Sequence, residues 1–197
     1  EIEHRHTVFG ESGAVRFLAY RNLERMGKWT DAMNLYDQDP TKNAAACQSF
    51  NYDSKNKTAP DLCWVRKPNV KSGVGINIEQ SISEQAGVFL RVMHSDGRTE
   101  VYSYTSTDRS VSAGILLSGG LWGRSGDSFG AGIAEGWISR EHARFLKKGG
   151  VDAFVGDGNL NYHPEQVFDI FYKFNIWNSI WLSLDFQHIF SPGFNMD

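Results

Sequence analysis

The stretch Val167–Phe190, VFDIFYKFNIWNSIWLSLDFQHIF, alternates apolar and polar residues on both sides of one short turn. Phe168, Ile170, Tyr172, Phe174 and Ile176 share one face, opposite Glu165, Asp169, Lys173 and Asn175. Past the connection Trp177–Ser179, Ile180, Leu182, Leu184, Phe186 and Phe190 oppose Ser183, Asp185 and Gln187. A period of two marks a β-strand whose two sides meet different surroundings. Two such strands across a tight turn make a hairpin.

The same reading extends toward the N-terminus. Val74, Ile76, Ile78 and Ile82 oppose Gly75, Asn77, Glu79, Ser81 and Ser83, and Val88, Leu90 and Val92 oppose Phe89, Arg91 and Met93. Val111, Ala113, Ile115 and Leu117 oppose Ser110, Ser112, Gly114 and Ser118, and Phe129, Ala131 and Ile133 oppose Ser128, Gly130, Gly132 and Ala134. Two weaker segments come first. Ile2–Val8 sets His4 and His6 on the apolar side, and Ala14–Leu23 places Val15, Phe17 and Ala19 there, with Arg16 and Asn22 on the polar side. The expectation is eight strands of about 9 to 13 residues, long enough when tilted to cross a hydrocarbon core.

Connections alternate in length. Gly10–Gly13, Glu84–Ala86, Gly123–Gly126 and Trp177–Ser179 are short, whereas Glu24–Ser72, Asp96–Asp108 and Ser139–His163 are long. All the long ones fall at one end. That asymmetry points to an all-β, antiparallel, up-and-down transmembrane β-barrel segment, with short periplasmic turns and long outer loops. The whole of 1–197 reads as one partial barrel with a long extracellular loop at about 24–72, within which Gly27–Tyr36 has the composition of a short helix. Phe9, Trp122, Trp177 and Trp181 gather at the short-turn end, and Tyr104, Trp137 and Phe190 at the other, as two interfacial girdles would.

Composition narrows the function. A net charge of −3 gives no basic surface for nucleic acid. No apolar run reaches the roughly 18 residues of a membrane helix, a test to which a barrel is blind. Neither a G-x-S-x-G elbow, a P-loop nor an H-E-x-x-H pair is present, so the expectation is no enzyme, no cofactor and no metal. His4 and His6 read as a surface pair, Asp157 as a turn residue, and Asn56-Lys57-Thr58 as a formal glycosylation sequon. Cys47 and Cys63, both in the longest loop, read as a disulfide of an oxidising compartment that contributes about 3 kcal/mol by closing a short loop. Free thiols are the alternative.

Five stretches carry a resemblance. They are HTVFGESGAVRFLAYRNLERMGKWTDAM (His6–Met33), GVFLRVMHSDGRTEVYSYT (Gly87–Thr105), DRSVSAGILLSGGLWGRSGDSFGAGI (Asp108–Ile133), VGDGNLNYHPEQVFDIFYKF (Val155–Phe174) and LSLDFQHIFSPGFN (Leu182–Asn195). In this order they resemble the carbohydrate-selective porin family, the OprB-like group; about Asn34–Ser72 lies outside the resemblance. It implies a sixteen-stranded barrel of the bacterial outer membrane that passes mono- or oligosaccharides by diffusion. By that template the chain corresponds to strands eight to fifteen, without a signal peptide or the final strand. Implied partners are small sugars as solute and outer-membrane lipid, with a homo-oligomer compatible and nucleic acid excluded.

Sugar passage calls for planar donors and acceptors on the polar face, with binding weak enough to release. Arg91, Glu79, Arg5, Glu3, Asp169, Lys173, Asp185 and Gln187 are the candidates, Arg91 foremost because it sits between Phe89 and Met93 on an otherwise uncharged face. A bland alternative is that these groups hydrate the wall or pair with each other, as Asp169 with Lys173. Arg109 and Arg124 flank the WGR stretch, and Arg124 reads as a structural turn residue. Two other readings stay open at this point: a soluble lectin-like sandwich or closed barrel with a dry interior, and a truncated porin without transport activity.

Overall fold

The structure, a computed structural model, describes residues 1–47, 57–101, 106–152, 155–156 and 160–196. Asn56 of the sequon, Tyr104 and Asp157 lie outside the described residues. Eight strands form one antiparallel sheet in sequence order: β1 (Ile2–Val8), β2 (Glu11–Met26), β3 (Lys67–Ser83), β4 (Ala86–Ser95), β5 (Arg109–Ser118), β6 (Ser128–Trp137), β7 (Glu165–Trp177) and β8 (Ile180–Phe190). Every strand is bonded to its neighbour in the chain, a pairing that two-residue hairpins enforce at β1–β2, β3–β4 and β7–β8. No described helix is long and apolar enough to cross a membrane.

Two strands run longer than the alternation suggested. β2 continues to Met26 and β3 begins at Lys67, so the first long connection is 27–66 rather than 24–72. The extra pairs Asn22↔Lys71 and Glu24↔Asn69 are polar. Period-two contrast is lost there because another part of the chain covers them. The first turn also shifts: β2 starts at Glu11, and Phe9 and Gly10 make the two-residue hairpin with φ of 53° and 88°. Both central residues of such a turn are left-handed, which glycine adopts freely and phenylalanine does not.

Register fixes the faces, because residues directly opposed in an antiparallel sheet point the same way. The chain of pairs Ala14↔Glu79, Glu79↔Phe89, Phe89↔Gly114, Gly114↔Gly132, Gly132↔Asp169 and Asp169↔Gln187 runs across β2 to β8 on one polar face. Opposite it lie Phe17, Ile76, Leu90, Ile115, Ile133, Phe168 and Leu184. A dry interior would bury that set. Instead Ile115 is 42 %, Phe168 38 % and Leu184 60 % exposed, so the apolar face is open across the sheet. A soluble sandwich needs the reverse.

The dry core lies elsewhere, in the long connections. Helix α1 (Trp29–Gln38) and helix α2 (Arg140–Lys147) pack with the 3₁₀ turns Leu62–Trp64 and Pro192–Phe194. Their shared core is Trp29, Ala32, Leu62, Ile138, Phe145, Leu146, Leu160 and Phe194. Ser139 caps α2 by accepting from His142 N at 3.0 Å and donates its own hydroxyl to Gly97 O at 2.6 Å. α1 lacks a side-chain cap and starts against the next connection, Trp29 N donating to Arg98 O at 3.2 Å. Cys47 and Cys63 are joined in a disulfide that ties the first connection to itself.

This cap sits over the polar face. Asn69, Lys71 and Ser95 belong to that face by register and are buried, whereas Leu23 and Val74 on the opposite side stay exposed. The Lys71 ammonium donates to Thr99 O at 3.1 Å and to Asp108 Oδ1 at 3.4 Å, and Asn69 Nδ2 donates to Met26 O at 2.8 Å. The long-loop end of the polar face is therefore covered.

Candidate functional site: the polar face and its cap

All eight sequence-predicted residues, Glu3, Arg5, Glu79, Arg91, Asp169, Lys173, Asp185 and Gln187, fall on the same face. They do not form one cluster. Glu3, Arg5, Glu79 and Arg91 gather on β1 to β4, and the other four lie on β7 and β8. Between Arg91 and Asp169 stand two strands of small residues, so the groups are about 14 Å apart along the sheet at the usual strand spacing.

In the first group the carboxylate of Glu3 accepts from Arg5 Nε and Arg16 Nε, each at 2.6 Å, and a second nitrogen of Arg16 reaches Glu79 Oε1 at 3.0 Å. Arg16 is the hinge of this ladder. Reading its strand put it on the polar side, yet nothing local marked it above other arginines; the signal is its cross-strand pairing with Glu3. The Arg91 guanidinium stands over the Phe89 ring, 5.0 Å from its centroid. Arg5, Arg16, Glu79, Phe89 and Arg91 all line an open cavity of about 690 Å³.

In the second group Asp169 and Lys173, offered above as an alternative pair, each have another partner. Asp169 Oδ2 accepts from Gln187 Nε2 at 3.2 Å, and the Lys173 ammonium lies over Trp181, 5.1 Å from the ring centroid. Trp181 corrects the girdle assignment. It pairs with Asn175 and shares the polar face with Lys173, its indole donating to Gly126 O at 3.3 Å. Its position near a strand end resembled the girdle, but strand parity decides the face. Trp137 and Phe190 do lie on the apolar side.

The turn between β5 and β6 behaves as a structural knot. Arg124 Nε donates to Asp127 Oδ2 at 2.5 Å, Tyr172 OH donates to the same oxygen at 2.8 Å, and Asn175 N donates to Oδ1 at 2.8 Å. The Arg124 guanidinium, joined by these donors, draws the Asp127 carboxyl down to about 2. Arg109 lies apart, at the loop end of the apolar face opposite Trp137.

The cap holds the most enclosed polar cluster. His142 stacks on Trp29, with ring centroids 4.1 Å apart and planes 5° from parallel. Its Nδ1 faces Asp108 Oδ2 at 3.3 Å, and its Nε2 lies 3.2 Å from Asp152 Oδ2. Burial alone would push the imidazole down, but the two carboxylates outweigh it and hold its pKa above the ordinary value. For Asp108 burial acts upward and is overcome by His142, the Ser139 N–H at 2.8 Å and Lys71, so its carboxyl is lowered. Beside this cluster Arg66 grips Glu100 through two bonds of 2.7 and 2.8 Å. Helix α2 and this convergence were not read from the sequence. Asp108 comes from the connection between β4 and β5, His142 and Asp152 from the one between β6 and β7, and no motif spacing joins them.

Among the described residues Cys47, Asp61 and Cys63 come within metal-binding distance of each other. Both sulfurs are committed to the disulfide, which removes them as thiolate ligands.

Comparison with known proteins adds two matches. A family model described as carbohydrate-selective porin, OprB family, matches residues 6–197. A solved structure of Pseudomonas putida OprB, described as its high-pH form, superposes with a TM-score of 0.69 at 17% sequence identity. That alignment covers 97% of this chain and 42% of the other, so the chain spans less than half the length of that relative. No curated protein sequence matches.

Proposed function

Because this chain belongs to the carbohydrate-selective porin, OprB, family, we propose that its polar face is part of the wall of a water-filled channel through which small sugars diffuse passively. The family is one of outer-membrane transport channels rather than enzymes, and the bacterial outer membrane is where such a chain resides. The observation that carries the proposal is the two-faced sheet: one side exposes large apolar side chains from β1 to β8, the other bears the Glu3–Arg16–Glu79 ladder and Arg91.

In this reading the apolar side meets lipid acyl chains, with Phe9, Trp177, Trp137 and Phe190 near the two interfaces. Arg91, Arg5, Asp169, Gln187, Asp185 and Lys173 exchange their bound water for sugar hydroxyls, while Glu3 and Glu79 orient Arg16 and Arg5. Planar, fixed donors suit a hydroxylated solute because little freedom is lost per bond. Solvent-exposed pairs also keep each bond weak, which passage requires. The cap sets which solutes reach the ladder, and the disulfide stiffens it.

The test is liposome swelling with the natural full-length gene product and uncharged sugars of increasing size. Arg91→Ala is expected to reduce the sugar flux several-fold while leaving a small ion's conductance nearly unchanged. Equal rates for sugars and size-matched polyethers, with and without Arg91, would sink the proposal.

A further inference from the structure

We propose that the hollow between Phe89 and Phe171 on the polar face is a subsite for the C–H face of a pyranose ring, separate from the charged ladder; this rests on the sugar-channel reading. The two rings lean over β5 and β6 from opposite sides. Phe89 on β4 is opposed by Gly114 on β5, and Phe171 on β7 by Gly130 on β6. A Cβ at Gly114 would stand 2.5 Å from Phe89 Cε1, and one at Gly130 would stand 2.2 Å from Phe171 Cε1. Neither approach is open to any residue but glycine. The two glycines therefore let the rings lie down along the sheet.

Between them the floor is clear. A Cβ at Gly132 would have Phe89 Cζ no nearer than 3.9 Å. The resulting cavity, about 360 Å³, is lined by Phe89, Ser112, Leu116, Gly132, Asp169 and Phe171. That size lies at the small end of ligand sites. Its lining is almost wholly apolar, with Ser112 and Asp169 the only polar side chains at its margin among the described residues. Aromatic and aliphatic walls suit the C–H faces of the ring, and the Ser112 hydroxyl with the Asp169 carboxylate suit the hydroxyl edge. Gln187 steadies that carboxylate from β8. The one charge on the wall is negative, so anionic solutes are disfavoured.

Phe89 also lines the larger charged cavity and carries Arg91 over its ring. The two hollows share this wall. A ring leaving the arginine side therefore has the aromatic side as its neighbour across Phe89.

The test uses the full-length gene product in planar bilayers, with block of the ion current read for glucose and for sorbitol, which has similar hydroxyls but no ring. Phe89→Leu and Phe171→Leu keep the apolar contact with the glycines and remove the flat face. Each is expected to weaken glucose block about five-fold, the scale of one lost aromatic contact, and Phe171→Leu, which lies away from Arg91, to leave sorbitol block and open-channel conductance unchanged. Gly130→Ala, which displaces the Phe171 ring without deleting it, is expected to do the same. The subsite is overturned if glucose and sorbitol block fall together in Phe171→Leu, or if neither changes in any of the three variants. Absence of glucose block in the unmodified protein would instead overturn the sugar-channel reading, and the subsite with it.

Discussion

The sheet and the cap solve the burial problem in opposite ways. In the sheet, apolar side chains such as Ile133, Leu184 and Phe186 stay uncovered, and stability within the protein comes from the backbone ladder and short-range pairs. The cap buries Trp29, Phe145 and Leu146 fully, and next to them the ion cluster Asp108–His142–Asp152. One region needs a second solvent to complete it; the other is complete by itself. Core mutations should therefore act on the cap in the manner of a water-soluble domain and leave the sheet's circular dichroism intact.

The largest effect expected is from Phe145→Ala, which empties the centre of the cap. It should cost the cap about 3–5 kcal/mol, read as lost hydrogen-exchange protection in α1 and α2. Leu184→Ala on the open face should leave those amides untouched. Equal loss from both would show that cap and sheet unfold as one body. Asp108→Asn comes next, at about 3 kcal/mol, because Lys71 and His142 are left with a buried charge only half answered. Reduction of Cys47–Cys63 should lower protease resistance of the first connection by a similar or smaller amount, about 2–3 kcal/mol, with no change in the strands.

Acidity sharpens the same contrast. His142, with its pKa raised, adds its full stability below the ordinary 6.5 and loses it as the pH climbs through the raised value. Asp108, with its pKa lowered, adds its full stability above 3.8 and loses it as the pH falls through the lowered value. Cap protection is expected to be greatest between 3.8 and 6.5 and to decline on both sides. The groups facing His142 are Asp108 and Asp152, with Lys71 bound behind Asp108. Hydrogen exchange across pH 3 to 10 checks this, and His142→Gln should remove the alkaline decline while keeping the acid one. The smallest stability effect belongs to the exposed ladder. Arg16→Ala should leave the unfolding midpoint in detergent unchanged within error, yet shift ion selectivity toward cations, because Glu3 and Glu79 lose their shared counter-charge.

The two regions were also unequally legible. Strand identity and face could be read because alternation is local: Val88, Leu90 and Val92 declare their side within five residues. All eight polar candidates consequently landed on one face. Which of them touch depended on pairing across strands, and so the Arg16 link and the Asp169–Gln187 bond were not visible. The cap was nearly opaque. Trp29 and Leu62 come from the connection between β2 and β3, Phe145 and Leu160 from the one between β6 and β7, and Phe194 from the segment after β8, and no periodicity joins them. Its cover over Asn69 and Lys71 also hid the ends of β2 and β3, where polar residues are inside. Trp181 shows the remaining weakness, for residue type near a strand end is a poorer guide to direction than parity.

Phe9 carries a cost that its neighbours do not. A bulky side chain in the left-handed region is strained by about 1–2 kcal/mol, and the fully exposed ring recovers nothing from the rest of the protein. Asparagine would relax the turn. On the sugar-channel reading, a benzyl group at the tip of this two-residue hairpin would act as an anchor at the headgroup boundary, and its depth of insertion would fix how far the inner rim of the wall stands from the periplasm.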